Sequence, residues 1–273
     1  MTDHKYSIIN VPVQHSSFLQ RTGRWLQLVW ALGSRDLRAR YRRSFLGPVW
    51  GIIQPIFLMV AFTILNRFIN ISSDGIPYAI FSYSVLVPWT FFTAIANGTA
   101  SCIINNASIL KKISVAREIF PLTTVLSAGF DLLMSGIVLA LMMLWFQIPV
   151  GWSLLWLPLL VTLTAAFGLA IGMGISCFGI FKRDFLLAGN FLIQFGLYIT
   201  PIIYPLSRVP EGWRWLYVLN PMVGILEGFR SVLARGQQPD LALLGLALPG
   251  MALVFLIVVP LFRKTAQYFA DVL

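Results

Sequence analysis

Charge is what this chain has least of. Only 11% of its 273 residues are Asp, Glu, Lys or Arg, while 58% are hydrophobic. A soluble globular domain carries about 25% charged residues, so there are too few polar groups here to coat a water-exposed surface. Cysteine is nearly absent. Cys102 and Cys177 lie singly in or beside apolar runs, which argues against a disulfide framework and against a thiolate metal site. The two histidines, His4 and His15, both fall in the polar amino-terminal stretch, so none is available for a buried proton relay. No Gly-x-x-x-x-Gly-Lys occurs and no glycine precedes any lysine, so the chain has no phosphate-binding loop of its own for ATP hydrolysis. No two aspartates lie two apart, which removes the paired-carboxylate metal site common in sugar transferases. The first 17 residues hold no apolar core followed by a small-residue cleavage site, which argues against a cleaved signal peptide.

What is abundant is apolar sequence in runs near 20 residues, the length that crosses a bilayer at about 1.5 Å per residue. Six spans are expected: Leu46–Phe68, Tyr78–Ile103, Phe120–Phe146, Leu154–Phe181, Phe185–Tyr204 and Leu241–Phe262. The fold class is therefore an all-α integral membrane protein. Residues 1–45 form a cytoplasmic amino-terminal tail, and residues 46–273 a six-helix transmembrane domain. Segments 104–119 and 205–240 are long enough to hold structure; 69–77, 147–153 and 182–184 are tight turns.

Lysine and arginine are retained on the cytoplasmic side, so their distribution sets orientation. One side carries Lys5, Arg21, Arg24, Arg35, Arg38, Arg40, Arg42, Arg43, Lys111, Lys112, Arg117, Lys182, Arg183, Arg263 and Lys264. The other carries only Arg67, Arg208, Arg214, Arg230 and Arg235. Both termini are thus expected in the cytoplasm. The net charge of +10 is mostly this topology signal, and no soluble basic face for nucleic acid exists. Trp145, Trp152 and Trp156 cluster at the outer turn after the third span, where indole rings anchor in the headgroup layer.

Several segments carry more than hydropathy. Residues 18–34 have helical amphipathic spacing, with Phe18, Trp25, Leu26, Val29 and Leu32 opposite Arg21, Arg24 and Gln27, as suits a helix in the membrane surface. The basic run Arg35, Arg38, Arg40, Arg42 and Arg43 follows. It has two readings: retention charge attracted to anionic lipid, or recognition of a phosphate-bearing lipid headgroup. Pro55, mid-span, removes the hydrogen bond to the Gly51 carbonyl and should kink the first span, and Gln54 beside it needs a polar neighbour. Asp131 is the one acid well inside a span, so it should face protein or water and find a partner. Its readings are a structural hydrogen bond or a functional charge. Residues 105–118 form a polar segment with Ile109, Leu110, Ile113 and Val115 as its apolar component; either a surface-lying connector or a helix docking into a soluble partner fits. Residues 205–240 are too polar to span and too apolar for an open loop, which suits two short helices dipping into the outer leaflet. Glu227 and Arg230 are spaced to pair on one helix face. Glycines at four-residue spacing, Gly47/Gly51, Gly168/Gly172 and Gly224/Gly228, permit close helix approach.

Two stretches carry a family resemblance. The first is Arg35-Asp36-Leu37-Arg38-Ala39-Arg40-Tyr41-Arg42-Arg43-Ser44 with Leu46-Gly47-Pro48-Val49-Trp50-Gly51-Ile52-Ile53-Gln54-Pro55. The second is Thr200-Pro201-Ile202-Ile203-Tyr204-Pro205 with Val209-Pro210, Asn220-Pro221 and Phe229-Arg230. The chain resembles the transmembrane subunit of bacterial ABC-2 type polysaccharide exporters, which move O-antigen, capsule or teichoic acid. The resemblance implies a homodimer with two copies of a separate ATPase subunit, which holds ATP and Mg, so no cofactor is expected on this chain and no catalysis by it. It implies an inner-membrane location and a polymer carried on a polyprenyl diphosphate lipid. It makes 105–118 the coupling helix, with Ser108, Lys111, Lys112, Arg117 and Glu118 at the ATPase contact, residues 18–34 an interfacial helix at the lipid gate, and 205–240 re-entrant outer helices. The first and fifth spans become channel walls.

On those walls two stripes share a spacing: Trp50, Gln54 and Phe57 on the first span, and Phe191, Phe195 and Tyr198 on the fifth. One reading has them face lipid or a packed neighbour. The other has them line the dimer's channel, and the polar groups of Gln54 and Tyr198, costly to leave unpaired in hydrocarbon, favour it. Three other function classes compete with polysaccharide export. An ABC-2 exporter of a drug or small amphiphile would have a narrower, less aromatic path. A membrane-embedded sugar-lipid transferase is opposed by the missing paired acids and histidine, and an ion-coupled carrier by the missing repeat and the single intramembrane acid.

Overall fold

The computed structural model describes residues 18–42, 44–110 and 116–266. His4, Lys5, His15, Arg43, Lys111, Lys112, Ile113 and Val115 lie outside these residues. Among the described residues all regular structure is helical. The helices are α1 (Phe18–Arg42), α2 (Trp50–Ile69), α3 (Tyr78–Asn105), α4 (Ala107–Leu110), α5 (Ile119–Trp145), α6 (Leu157–Gly179), α7 (Arg183–Ile199), α8 (Glu211–Val218), α9 (Pro221–Ala234) and α10 (Leu241–Ala266). Five segments are long and apolar enough to cross a membrane: Gly47–Ile69, Tyr78–Asn105, Ile119–Trp145, Trp152–Gly179 and Leu241–Ala266.

The expected fifth span, Phe185–Tyr204, is shorter in the structure. α7 has 17 residues and stops at Ile199, giving a rise of about 25 Å, the lower limit for a crossing. The stop is chemical. Pro201 excludes helical backbone from the residue before it, and Thr200 accordingly turns extended at φ −75°, ψ 142°. A second correction concerns α1, expected to end near residue 34. It runs on unbroken to Arg42, because the basic stretch is built of good helix formers and Gly33 is a contact point instead of a break. The space a Gly33 side chain would fill is taken by Leu126 of α5, whose Cδ2 would be 2.6 Å from an added Cβ.

α3 is the central helix. Its apolar window is 78% buried, against 11% for α2 and 17% for α10. The spaced glycines bring α6 onto it: a Cβ on Gly172 would lie 2.5 Å from the Ala96 carbonyl, and one on Gly168 would meet Ile95 at 3.1 Å. Without hydrophobic drive between helices in lipid, such backbone approach is a main source of association. The main core joins α3 residues Tyr83, Leu86 and Phe92 to Leu160, Phe167, Ile225 and Phe229 of α6 and α9.

The segment after α7 holds α8 and α9, as expected of two short helices, but α9 is no surface element. All fourteen of its residues are buried. Asn220 caps it by accepting from the Met222 N–H at 3.1 Å, with Pro221 in the first turn. The Glu227–Arg230 pair, expected on a helix face, is inside the protein, with Arg230 fully buried.

Pro55 lies within continuous α2, and its missing N–H is answered from a neighbour. The Gly51 carbonyl it frees accepts a hydrogen bond from the Ser135 hydroxyl of α5 at 2.7 Å.

Candidate functional site: an arginine-bearing recess and two aromatic stripes

The carboxyl-terminal half of α1 lies along α5. Gly33 meets Leu126 along this contact, and farther on Tyr41 and Arg40 reach Asp131. Asp131 stands twelve residues into α5, about 18 Å from its start. Gly51 of α2 is packed at the same level, since a Cβ there would lie 3.1 Å from Asp131 Oδ1. The end of α1, the first turn of α2 and the middle of α5 therefore meet in one layer.

That layer answers the question of Asp131's partner. Arg40 Nη1 donates to Asp131 Oδ2 at 3.0 Å, and the Tyr41 hydroxyl donates to Oδ1. Burial, then the hydrogen bond and charge of Asp131, push the Tyr41 phenol up to about 12, so it stays a neutral donor at physiological pH. Neither partner was identified from sequence. The signal was there: a lone intramembrane carboxylate calls for a cation, and one basic run borders the first span.

The four described arginines of the run do not act alike. Arg35, Arg38 and Arg42 share one face of α1 and line a common recess. Arg35 is already engaged, donating to Asp36 Oδ1 from Nε at 2.9 Å and to Asn106 Oδ1 at 2.6 Å. Arg38 and Arg42 are exposed and have no acidic partner among the described residues. Arg40 points the other way, to Asp131. Beside it a recess of about 290 Å³ is walled by Thr123, Thr124 and Ser127 of α5 and by Gly98 and Asn105 of α3.

Both aromatic stripes are uncovered within the protomer. Trp50, Gln54 and Phe57 are exposed on α2, and Phe191, Phe195 and Tyr198 on α7. The Phe191 and Phe195 rings stack with centroids 6.0 Å apart and planes within 10°. α2 packs on α3 and α5, whereas α7 packs on α3 and α6.

Of the expected coupling segment, α4 and residues 116–118 are described. Ile109 and Leu110 turn inward against a cluster with Phe120 and Phe262, leaving Ser108 exposed. Arg117 is half-buried in the turn before α5. Glu118 is paired within the chain, accepting from Arg263 Nε of α10 at 3.1 Å.

Comparison with known proteins gives the frame for these features. O-antigen export system permease protein RfbA of Myxococcus xanthus is 29% identical over 88% of this chain and 91% of its own. RfbA of Klebsiella pneumoniae is 26% identical over 92% of this chain and 96% of its own. Polysialic acid transport protein KpsM of Escherichia coli is 23% identical over 76% and 81%. The profile of the ABC-2 type transporter family matches residues 27–234, from α1 through the end of α9. Having that match across most of its length, the chain belongs to the ABC-2 type transporter family.

Proposed function

We propose that this chain is the membrane-spanning subunit of an ATP-driven exporter that carries a lipid-linked polysaccharide, most naturally O-antigen on a polyprenyl diphosphate, across the bacterial inner membrane. The observation that carries the reading is its similarity to O-antigen export permeases over 92% and 88% of the chain, on a chain that bears exposed aromatic stripes on two helices. A sugar polymer has hydroxyl edges and C–H faces, so flat rings let it slide without a tight grip. Two copies of the chain bring the α2 and α7 stripes around one channel. α7 then serves as the sixth crossing. Both termini and residues 105–118 face the cytoplasm, where two copies of a separate subunit hydrolyse ATP with Mg. Ser108, Lys111, Lys112, Arg117 and Glu118 meet that subunit. Arg35, Arg38, Arg40, Arg42 and Arg43 receive the phosphates of the carrier lipid.

The test is reconstitution in proteoliposomes. The chain alone should hydrolyse no ATP above a mock purification, and with its ATPase subunit it should move lipid-linked polymer in an ATP-dependent way. Phe195→Ala or Tyr198→Ala should slow polymer movement without lowering ATP hydrolysis. Nucleotide turnover by the isolated chain, or a dimer whose two stripes both face lipid, would overturn the reading.

A further inference from the structure

The layer where α1, α2 and α5 meet encloses a recess of about 280 Å³ lined by Arg40, Tyr41, Ser44, Trp50, Gln54 and Asp131. It joins two features that the sequence presents separately, the basic run and the foot of the α2 stripe. We propose that this recess is a binding subsite for the first sugar next to the carrier phosphate, with Asp131 and Trp50 as its sugar-reading residues. The proposal rests on the exporter reading above and adds to it a place where the cargo is read at its lipid-proximal end.

The chemistry is that of a carbohydrate site. Asp131 offers two carboxylate oxygens, and each accepts one hydrogen bond from within the chain, Oδ2 from Arg40 and Oδ1 from Tyr41. A carboxylate has about four acceptor positions, so roughly two are left for hydroxyl donors. Arg40 donates one N–H to Asp131 and also lies against the Tyr41 hydroxyl, and its remaining N–H groups can meet a phosphate oxygen, as guanidinium does well. The pair is half open, with side chains 47% and 22% exposed. A closed structural ion pair would not leave donors and acceptors facing a cavity. Gln54 adds a carboxamide and Trp50 an exposed indole face. The volume sits at the low end for small-molecule sites, roughly 300–1,000 Å³, and suits one ring. Charge placement agrees: among the described residues Asp36 and Asp131 are the acids that meet this arginine run, and Arg38 and Arg42 have no acid beside them.

The experiment uses the full chain assembled with its ATPase subunit in nanodiscs of phosphatidylethanolamine and phosphatidylglycerol. Equilibrium binding is measured for farnesyl diphosphate, for the same lipid carrying one glucose on its terminal phosphate, and for farnesol. Wild type should bind the glucosylated probe about tenfold more tightly than farnesyl diphosphate, the worth of one hydrogen bond to a charged group. Asp131→Asn keeps the geometry but weakens the acceptor, and should bring that preference within twofold. Farnesyl diphosphate itself should bind this variant at least as tightly as before, because the negative charge beside Arg40 is gone. Trp50→Leu, at an exposed ring whose loss leaves the core intact, should also abolish the preference. Equal binding of the two diphosphates by wild type, or a full preference kept in both variants, would overturn the subsite and leave the exporter reading standing. Binding of neither diphosphate above farnesol would overturn both.

Discussion

Arg230 of α9 donates from Nη2 to the carbonyl of Pro201 at 2.9 Å and to that of Ile202 at 3.2 Å. These are the carbonyls just past the end of α7, in the chain that turns back toward the outer helices. Arg230 is fully buried, pairs with Glu227, and sits with its guanidinium carbon 4.1 Å from the Phe81 ring centroid of α3. One side chain thus ties the end of α7, the buried α9 and the central α3 together. Removing one partner of a buried pair costs about 3–5 kcal/mol, so Arg230→Ala should sharply lower the thermal stability of the detergent-purified protein. Arg230→Lys, which keeps charge but loses the planar fork, should recover only part of it. A melting temperature unchanged in both variants would show that the staple is dispensable.

The Pro55–Ser135 relation predicts a rescue. Ser135→Ala leaves the part-buried Gly51 carbonyl without its donor, at a cost of about 1 kcal/mol, the net worth of one hydrogen bond. Pro55→Ala supplies a backbone N–H to the same carbonyl. The double variant should therefore be more stable than Ser135→Ala alone, which a double-mutant cycle of unfolding midpoints reads directly. Additive losses would show that the hydroxyl acts elsewhere.

Orientation is testable with a thiol probe. Cys102 and Cys177 are buried, so background labelling should be low. A cysteine at the exposed Ser207 should react with an impermeant maleimide on intact spheroplasts. One at the exposed Ser108 should react only after the membrane is opened. Labelling of position 108 from outside would reverse the proposed topology.

Glu118 has a partner of its own, so its proposed coupling role needs a comparison. The Glu118–Arg263 pair is solvent-exposed, and exposed pairs contribute about 0–1 kcal/mol. Arg263→Ala should leave export near normal. Glu118→Ala should reduce export, with insertion intact, if the carboxylate also meets the ATPase subunit. Equal export in both variants would confine Glu118 to its bond with α10.

Much of this protein was legible in the chain because bilayer physics acts on runs of residues. A membrane-length helix is declared by consecutive apolar side chains, and α2, α3, α5, α6 and α10 follow the expected spans to within a few residues. Local chemistry was missed at two places: Pro201 stops α7 at Ile199, short of the expected Tyr204, and Asn220-Pro221 supplies the cap and first turn of α9. The spaced glycines of α6 announced a close approach, though not that α3 was the partner.

Only the tertiary structure decided who meets whom. Asp131 and Arg40 are 91 positions apart; the sequence says that the carboxylate needs a cation, and only the fold says which arginine supplies it. Arg230 and the carbonyls past α7 are joined the same way, by a fold-back whose direction depends on the packing of α9 against α3. Glu227 and Arg230 look like a surface pair because their spacing is that of any helix face; what surrounds the helix made them a core pair. Hydropathy and helical period are properties of neighbours along the chain, so the sequence alone could determine the membrane-embedded, all-helical frame and the stripes upon it. Which faces are covered depends on contacts between distant segments, and so the recess at Asp131 exists only once α1, α2 and α5 have come together.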